Sequence, residues 1–237
     1  MTQPPPWSGT NPPPTAPVSA VERFRYAYQD RGRTDYVFTN IGVTILLIFV
    51  TCGVFAYYIF YQLVRRMRDH NQRRLALLEA ANEIAWERAL QQGLAEELRP
   101  NFERIGTHLA VLRGMTSDFR DPAIWLLLQI VTGVAGIIMF VFLDQDLIKH
   151  DRNEGAVESE LTEIFGRLGN PISPPNPARV KAPHNYAGRI IATIGSCGIY
   201  SYWWYYDLMI DGNNHFAQNW PWEDGVAGAV HNLTQAS

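Results

Sequence analysis

Three stretches of this chain carry no charged side chain: residues 36–64, 122–143 and 190–206. They are rich in Ile, Leu, Val, Phe and Tyr on every side, whereas a helix on the surface of a soluble bundle keeps one polar face. A helix needs roughly 20 apolar residues to cross a ~30 Å hydrocarbon core. The first two runs meet that length, and the third meets it if its aromatic end lies in the headgroup layer. The expected fold class is therefore an all-α membrane protein, with three transmembrane helices over 36–64, 122–143 and 190–206. The slightly negative mean hydropathy does not conflict with this, because polar segments dilute the average.

The segments between the runs follow from their composition. Residues 1–20 are proline-rich, cannot bury a core, and read as a disordered tail. They lack the apolar centre of a cleavable leader, so the first run is expected to direct insertion itself. Residues 21–35 form a juxtamembrane approach. Residues 65–121 read as an amphipathic helical linker, with Leu77, Ile84, Gln91 and Leu98 recurring every seven positions. Pro100 is expected to end one helix, and Phe102, Ile105, Leu109 and Leu112 stripe a second. Residues 144–189 hold another amphipathic helix, with Val157, Leu161, Ile164 and Leu168 on one face, closed by Gly169 and Pro171. A proline-rich connector follows it, and residues 207–237 read as a polar C-terminal tail.

The chain also repeats itself. TCGVFAYYIFYQLVRRMRDH (51–70) and SCGIYSYWWYYDLMIDGNNH (196–215) align at one offset of 145, pairing Cys52 with Cys197, Gly53 with Gly198 and His70 with His215. The middle run shares only a spacing: Gly133 stands as far before His150 as Gly53 before His70 and Gly198 before His215. Small residues inside membrane helices mark close contacts, so Cys52, Gly53, Gly133, Cys197 and Gly198 are expected at helix-packing positions. Tyr57, Tyr61, Tyr200, Tyr202, Trp203, Trp204, Tyr205 and Tyr206 are expected as interfacial anchors. Arg65, Arg66, Arg68, Arg73 and Arg74 are expected to meet lipid headgroups, at about 1 kcal/mol each.

No catalytic constellation is visible. The 2 cysteines rule out a disulfide framework, and the 6 histidines are scattered with no HxxxH, HExxH or paired-carboxylate spacing. No nucleotide loop, nucleophile elbow or nucleic-acid motif appears. The expectation is a non-enzymatic protein without metal or cofactor, whose His70 and His215 form hydrogen bonds near the headgroups.

The repeated T/S-C-G-V/I-F/Y segment resembles bacterial multi-pass proteins that carry T-C-G-I-Y-x-x-Y-W spans ending in Asn or His. In that family such spans alternate with a second type ending in D/N-x-L-N/K, which LQIVTGVAGIIMFVFLDQDLIKH resembles here. The first copy departs from it, with Phe55 and Ile59 where the second has Tyr200 and Trp204. The chain is similar in kind to mycobacterial lipid-uptake coordinator proteins, small subunits beside Mce lipid importers. The resemblance implies a plasma-membrane accessory subunit whose partners are lipids and a larger, lipid-transporting membrane complex. Two other readings stay open: a stand-alone transporter or lipid-binding protein that depends on Gly53, Gly198 or the aromatic run, and a redox sensor using Cys52 and Cys197.

Overall fold

Residues 19–235 are described by the computed structural model; the proline-rich tail, but for Ser19 and Ala20, lies outside them. The helices are α1 (Ala20–Gln29), α2 (Arg31–Thr34), α3 (Ile41–Val50), α4 (Val54–Gln91), α5 (Ala95–Ser117), α6 (Pro122–Thr132), α7 (Ala135–Arg167), α8 (Tyr186–Gly195) and α9 (Ser201–Gln235). No strand occurs among the described residues. The expected all-α class therefore holds.

The three expected spans do not. No helix among the described residues is long and apolar enough to cross a membrane. Each charge-free run is instead broken at one glycine, Gly53, Gly133 or Gly198. At the first break Cys52 (φ 49°) and Gly53 (φ 89°) are both left-handed, and at the third Cys197 (φ 51°) and Gly198 (φ 91°) repeat that pattern. The closure is the same in both: Gly53 N–H donates to the Ile48 carbonyl and Gly198 N–H to that of Thr193, each at 2.8 Å. This six-to-one bond ends the first helix and lets a new one start at once in another direction. In the middle run Gly133 (φ 69°) turns the chain alone, and the Gln129 side chain braces the turn by accepting from Gly136 N–H.

Contacts at the far ends show that each run goes out and comes back. Phe38, just before α3, exchanges two hydrogen bonds with Asn213 (3.1 and 2.9 Å), and Arg66, well along α4, reaches the Tyr36 carbonyl. Arg120, before α6, pairs with Asp146 of α7. Arg189 of α8 lies 2.5 Å from Asp207 of α9, and His184 lies 3.2 Å from Asp211. The outgoing arms start alike, with Asn40, Asp121 and Asn185 side chains capping the N-termini of α3, α6 and α8. Three helical hairpins thus project from one end of the molecule. Their return arms α4, α7 and α9 pack on one another and continue into the body without a boundary at residues 64, 143 or 206.

The body is built where those arms meet α1 and α5. One apolar cluster lies at the hairpin end around Phe60, Leu63, Met139, Phe140, Trp204 and Met209. A second lies beyond, around Leu77, Ala81, Ile84, Ile105, Leu109, Leu161, Phe165 and Val226. The expected stripe Val157, Leu161, Ile164, Leu168 is buried there, and so are Leu77, Ile84 and Leu98, while Gln91 is exposed. Pro100 does not end a helix. Left-handed Gly93 ends α4, through Leu94 N–H to the Ala89 carbonyl at 2.8 Å, and Pro100 lies inside α5. Residues 207–235 are not a solvated tail, because α9 continues to Gln235 and buries Phe216, Trp222 and Val226.

The glycines expected to pack are turn residues. Cβ atoms built on Gly53, Gly133 and Gly198 meet nothing within 4 Å, and Cys52 and Cys197 are exposed free thiols. A left-handed φ costs an L-residue roughly 1–2 kcal/mol. Gly53→Ala and Gly198→Ala should therefore each lose about that much in chemical denaturation. Gly106→Ala and Gly114→Ala, which face open space within α5, should be neutral or up to ~1 kcal/mol stabilising. Equal behaviour of the two pairs would contradict the turn assignment.

Candidate functional site

Between the two apolar clusters lies a layer of buried charge. Asp35, Asp151, Glu154, Glu158 and Glu223 are buried there, as are Arg73, Arg74 and Arg179. Arg74 donates to Glu154 and Glu158, and to Glu223 at 2.9 Å. Arg73 bridges Asp35 (2.8 Å) and Glu223 (2.9 Å). Arg179, from the proline-rich connector, donates to Asp151, Glu158, Asn219 and, at 2.6 Å, Glu154. At the edge, Arg31 pairs with Asp224 at 2.7 Å and lies 3.8 Å from Glu223. Five buried carboxylates thus face three buried guanidiniums, leaving the layer anionic. Burial and the neighbouring carboxylates push Glu158 up to about 7 despite Arg74 and Arg179. Burial also works to raise Glu154, but Arg74 and Arg179 outweigh it and hold that carboxyl well below its usual range.

At the centre of this layer three histidines converge, one from each return arm: His70 of α4, His150 of α7 and His215 of α9. His70 and His215 approach Nε2 to Nε2 at 3.0 Å. Glu154 Oε2 is 3.6 Å from His215 Nε2 and 3.7 Å from His150 Nε2. On the outer side, His70 Nδ1 contacts Asp35 Oδ1 at 2.8 Å, and His215 Nδ1 lies 3.3 Å from Asp151 Oδ1. Burial holds the His70 imidazole down to about 3 against the pull of Asp35, and burial lowers His215 as well. Both rings are neutral near pH 7. Asp35 itself is raised by burial, but His70, Arg73 and the Trp220 indole outweigh that and keep it ionised. Neutral imidazoles with a carboxylate are a donor set for a cation.

A second constellation lies nearby: the ligand atoms of Asp144, His184 and Asp211 also converge. It carries its own cation. Lys181 Nζ contacts Asp144, lies 2.5 Å from Asp211 and 3.1 Å from His184 Nε2. No ammonium or guanidinium is bonded to the Nε2 atoms of the histidine cluster among the described residues.

The residues singled out from sequence fall elsewhere. Of the five arginines expected at lipid headgroups, Arg66, Arg73 and Arg74 are buried and only Arg65 is well exposed. Arg66 Nη2 donates to the carbonyls of Leu208 (2.6 Å) and Met209 (3.2 Å), passing so close to Gly212 that a Cβ there would collide with it. Among the aromatic anchors, Tyr57, Trp203 and Tyr206 are exposed, but Trp204 and Tyr205 are core residues. The remaining three, Tyr61, Tyr200 and Tyr202, are half-buried. His70 and His215 lie in the interior, not in a headgroup layer. The one sequence signal pointing to the cluster is the shared spacing from glycine to histidine. One turn after each histidine comes a polar residue, Arg74, Glu154 and Asn219, and all three meet in the layer.

Comparison of the chain with family models, curated proteins and solved structures finds no match.

Removing one partner of a buried ion pair costs about 3–5 kcal/mol. Arg74→Met, which takes one of two hydrogen-bonded guanidinium partners from each of Glu154, Glu158 and Glu223, should lose stability on that scale in denaturant titration. Arg104→Met breaks an exposed pair with Glu160 and should lose less than ~1 kcal/mol. Similar losses for both would contradict the layer's structural role.

Proposed function

We propose that this chain is a membrane protein that seats three apolar hairpins in one lipid leaflet and binds a cation in the histidine–carboxylate layer behind them. The observation that carries the reading is the shared hairpin design, in which a glycine turn precedes a cluster histidine at the same spacing in all three copies.

The leaflet half of the proposal rests on where apolar surface is exposed. Among the described residues, every exposed large hydrophobic side chain but Tyr26, Tyr36 and Leu90 belongs to the hairpins, including Phe49, Val50, Val54, Val131 and Ile194. The outgoing arms have 10, 11 and 10 residues, or about 15 Å at 1.5 Å per residue. That is half of the ~30 Å hydrocarbon thickness. Charged residues return where the hydrocarbon would end, at Arg65, Asp121, Asp144, Arg189 and Asp207. The histidines, about 25 Å along the return arms from the turns, then lie beyond the hydrocarbon. Backbone at the turns is closed by its own hydrogen bonds, as insertion in lipid requires.

The interior layer supports binding more than catalysis, since its groups are buried and mostly occupied with one another. Packing beside a larger membrane complex is a second reading, favoured by the exposed Trp203 and Tyr206 rings, which stack at 5.4 Å. A lipid importer as that complex rests on the family resemblance alone.

Cys52 and Cys197, the chain's 2 cysteines, report on the leaflet directly because they occupy two hairpin tips. In reconstituted vesicles, fluorophores on either thiol should be quenched most by spin labels near the acyl-chain ends. Membrane-impermeant maleimide should label neither until detergent is added. Ready labelling in intact vesicles would refute insertion, and it would leave cation binding to be judged by thermal stabilisation with added metal salts.

A further inference from the structure

We infer that the cation is one divalent first-row transition-metal ion, Zn²⁺ fitting best, held by the Nε2 atoms of His70, His150 and His215 and by a Glu154 carboxylate oxygen. This deepens the cation-binding reading above and does not depend on the leaflet.

The first argument is hydrogen-atom accounting. Asp35 accepts the Nδ1 proton of His70 at 2.8 Å, so Nε2 is the nitrogen that this ring turns toward the cluster. The Asn219 amide is oriented by Arg179, which donates to its Oδ1. Its Nδ2 therefore faces Glu154 Oε2 at 3.1 Å and His215 Nε2 at 3.2 Å. An N–H donated to His215 Nε2 marks that nitrogen as an acceptor, with its proton on Nδ1 beside Asp151. The two Nε2 atoms face each other at 3.0 Å, a spacing at which both can bind one shared cation. His150 adds an independent sign. It is 2% exposed, and neither of its ring nitrogens has a hydrogen-bond partner, which is a costly way to bury an imidazole.

The second argument is geometry. Ligands about 2.0–2.1 Å from a tetrahedral Zn²⁺ lie roughly 3.3 Å from one another. The separations of 3.0, 3.6 and 3.7 Å lie on either side of that edge, and each of the four residues offers one ligand atom within 4.8 Å of the others. Three imidazoles and one carboxylate suit zinc, iron, cobalt, nickel or copper, whereas Ca²⁺ and Mg²⁺ take oxygen ligands. Asp35 behind His70 forms the carboxylate–histidine half of such a site, a contact that orients the ring and raises its basicity, and Asp151 lies 3.3 Å behind His215 Nδ1.

The third argument is charge. A cation offsets the layer's excess of carboxylates over guanidiniums, which persists even with Glu158 protonated, where neutral water would not. A cavity between α7 and the proline-rich connector is lined by Asp151, Gly155, Ser159, Pro175 and Arg179, and the Asp151 carboxylate there lies 3.3 Å from His215 Nδ1.

The test uses the full chain in detergent. Elemental analysis after purification and dialysis should find about one transition-metal ion per chain. Co²⁺ loaded into metal-stripped protein should show the intense visible bands of a tetrahedral N/O site. His150→Ala should abolish those bands, and Asp35→Asn should weaken Co²⁺ affinity roughly 10–100-fold, while His231→Ala, on the exposed end of α9, should leave both unchanged. The wild-type spectrum keeps the test decisive if His150→Ala fails to fold. Weak octahedral Co²⁺ bands, or binding unaffected by His150→Ala, would overturn the inference. Stabilisation by Mg²⁺ or Ca²⁺ alone would overturn it while leaving the cation-binding reading intact. Indifference to every cation would overturn both.

Discussion

The structure depends on how eight ionisable side chains are kept away from water. A buried charge is tolerated only when paired and hydrogen-bonded, and the layer formed by Asp35, Arg73, Arg74, Asp151, Glu154, Glu158, Arg179 and Glu223 meets that condition only as a whole. Arg73 and Arg74 come from α4, Glu154 and Glu158 of α7 face Arg74, Glu223 arrives on α9, and Asp35 and Arg179 arrive on loops. The layer therefore fixes the relative height and rotation of three long helices. Nonspecific apolar packing in the clusters on either side would not fix them so closely. It also explains why the proline-rich connector, which lacks regular structure, is held against the body: its Arg179 and Lys181 side chains are the cations of two acidic groups.

The repeated hairpin supplies the symmetry that makes such a layer possible. Equal spacing from turn to histidine on α4, α7 and α9 places three rings at one height once the turns are level. The residue one helical turn later reaches the same place from each arm. Arg74, Glu154 and Asn219 differ in charge, so the three copies divide the work: one neutralises, one offers an oxygen donor and one orients its neighbours. The apolar arms point the other way and keep charge out of the first ~15 Å from the turns.

Much of this is legible in the sequence, and the limits have physical causes. The all-α class, the helical stripe from Val157 to Leu168, the cap at Gly169 and the duplication of the Cys-Gly segment follow from periodicity and composition. Hydropathy cannot distinguish a straight span from a hairpin, because both are charge-free over the same length. The deciding information is the left-handed conformation of Cys52-Gly53 and Cys197-Gly198, and small residues in apolar helices read equally well as packing contacts. The RRMRDHNQRR run resembles a headgroup patch because the acidic partners of Arg73 and Arg74 lie far from it along the chain, at Asp35 before α3 and on α7 and α9. Trp204 resembles an anchor because an aromatic cluster does not reveal which ring faces inward. The histidines escape ligand-spacing patterns because each comes from a different helix, and only their common distance from a glycine links them.

The central claim is that three equivalent hairpins deliver three histidines to one metal ion. The most direct measurement is an experimental structure of the full-length protein, with anomalous diffraction recorded on both sides of the zinc absorption edge. The account predicts a single strong peak that appears above the edge, at bonding distance from the Nε2 atoms of His70, His150 and His215 and from a Glu154 oxygen. Its contradiction would be the three rings found apart, or found together around an ordered water with no anomalous signal in metal-supplemented crystals.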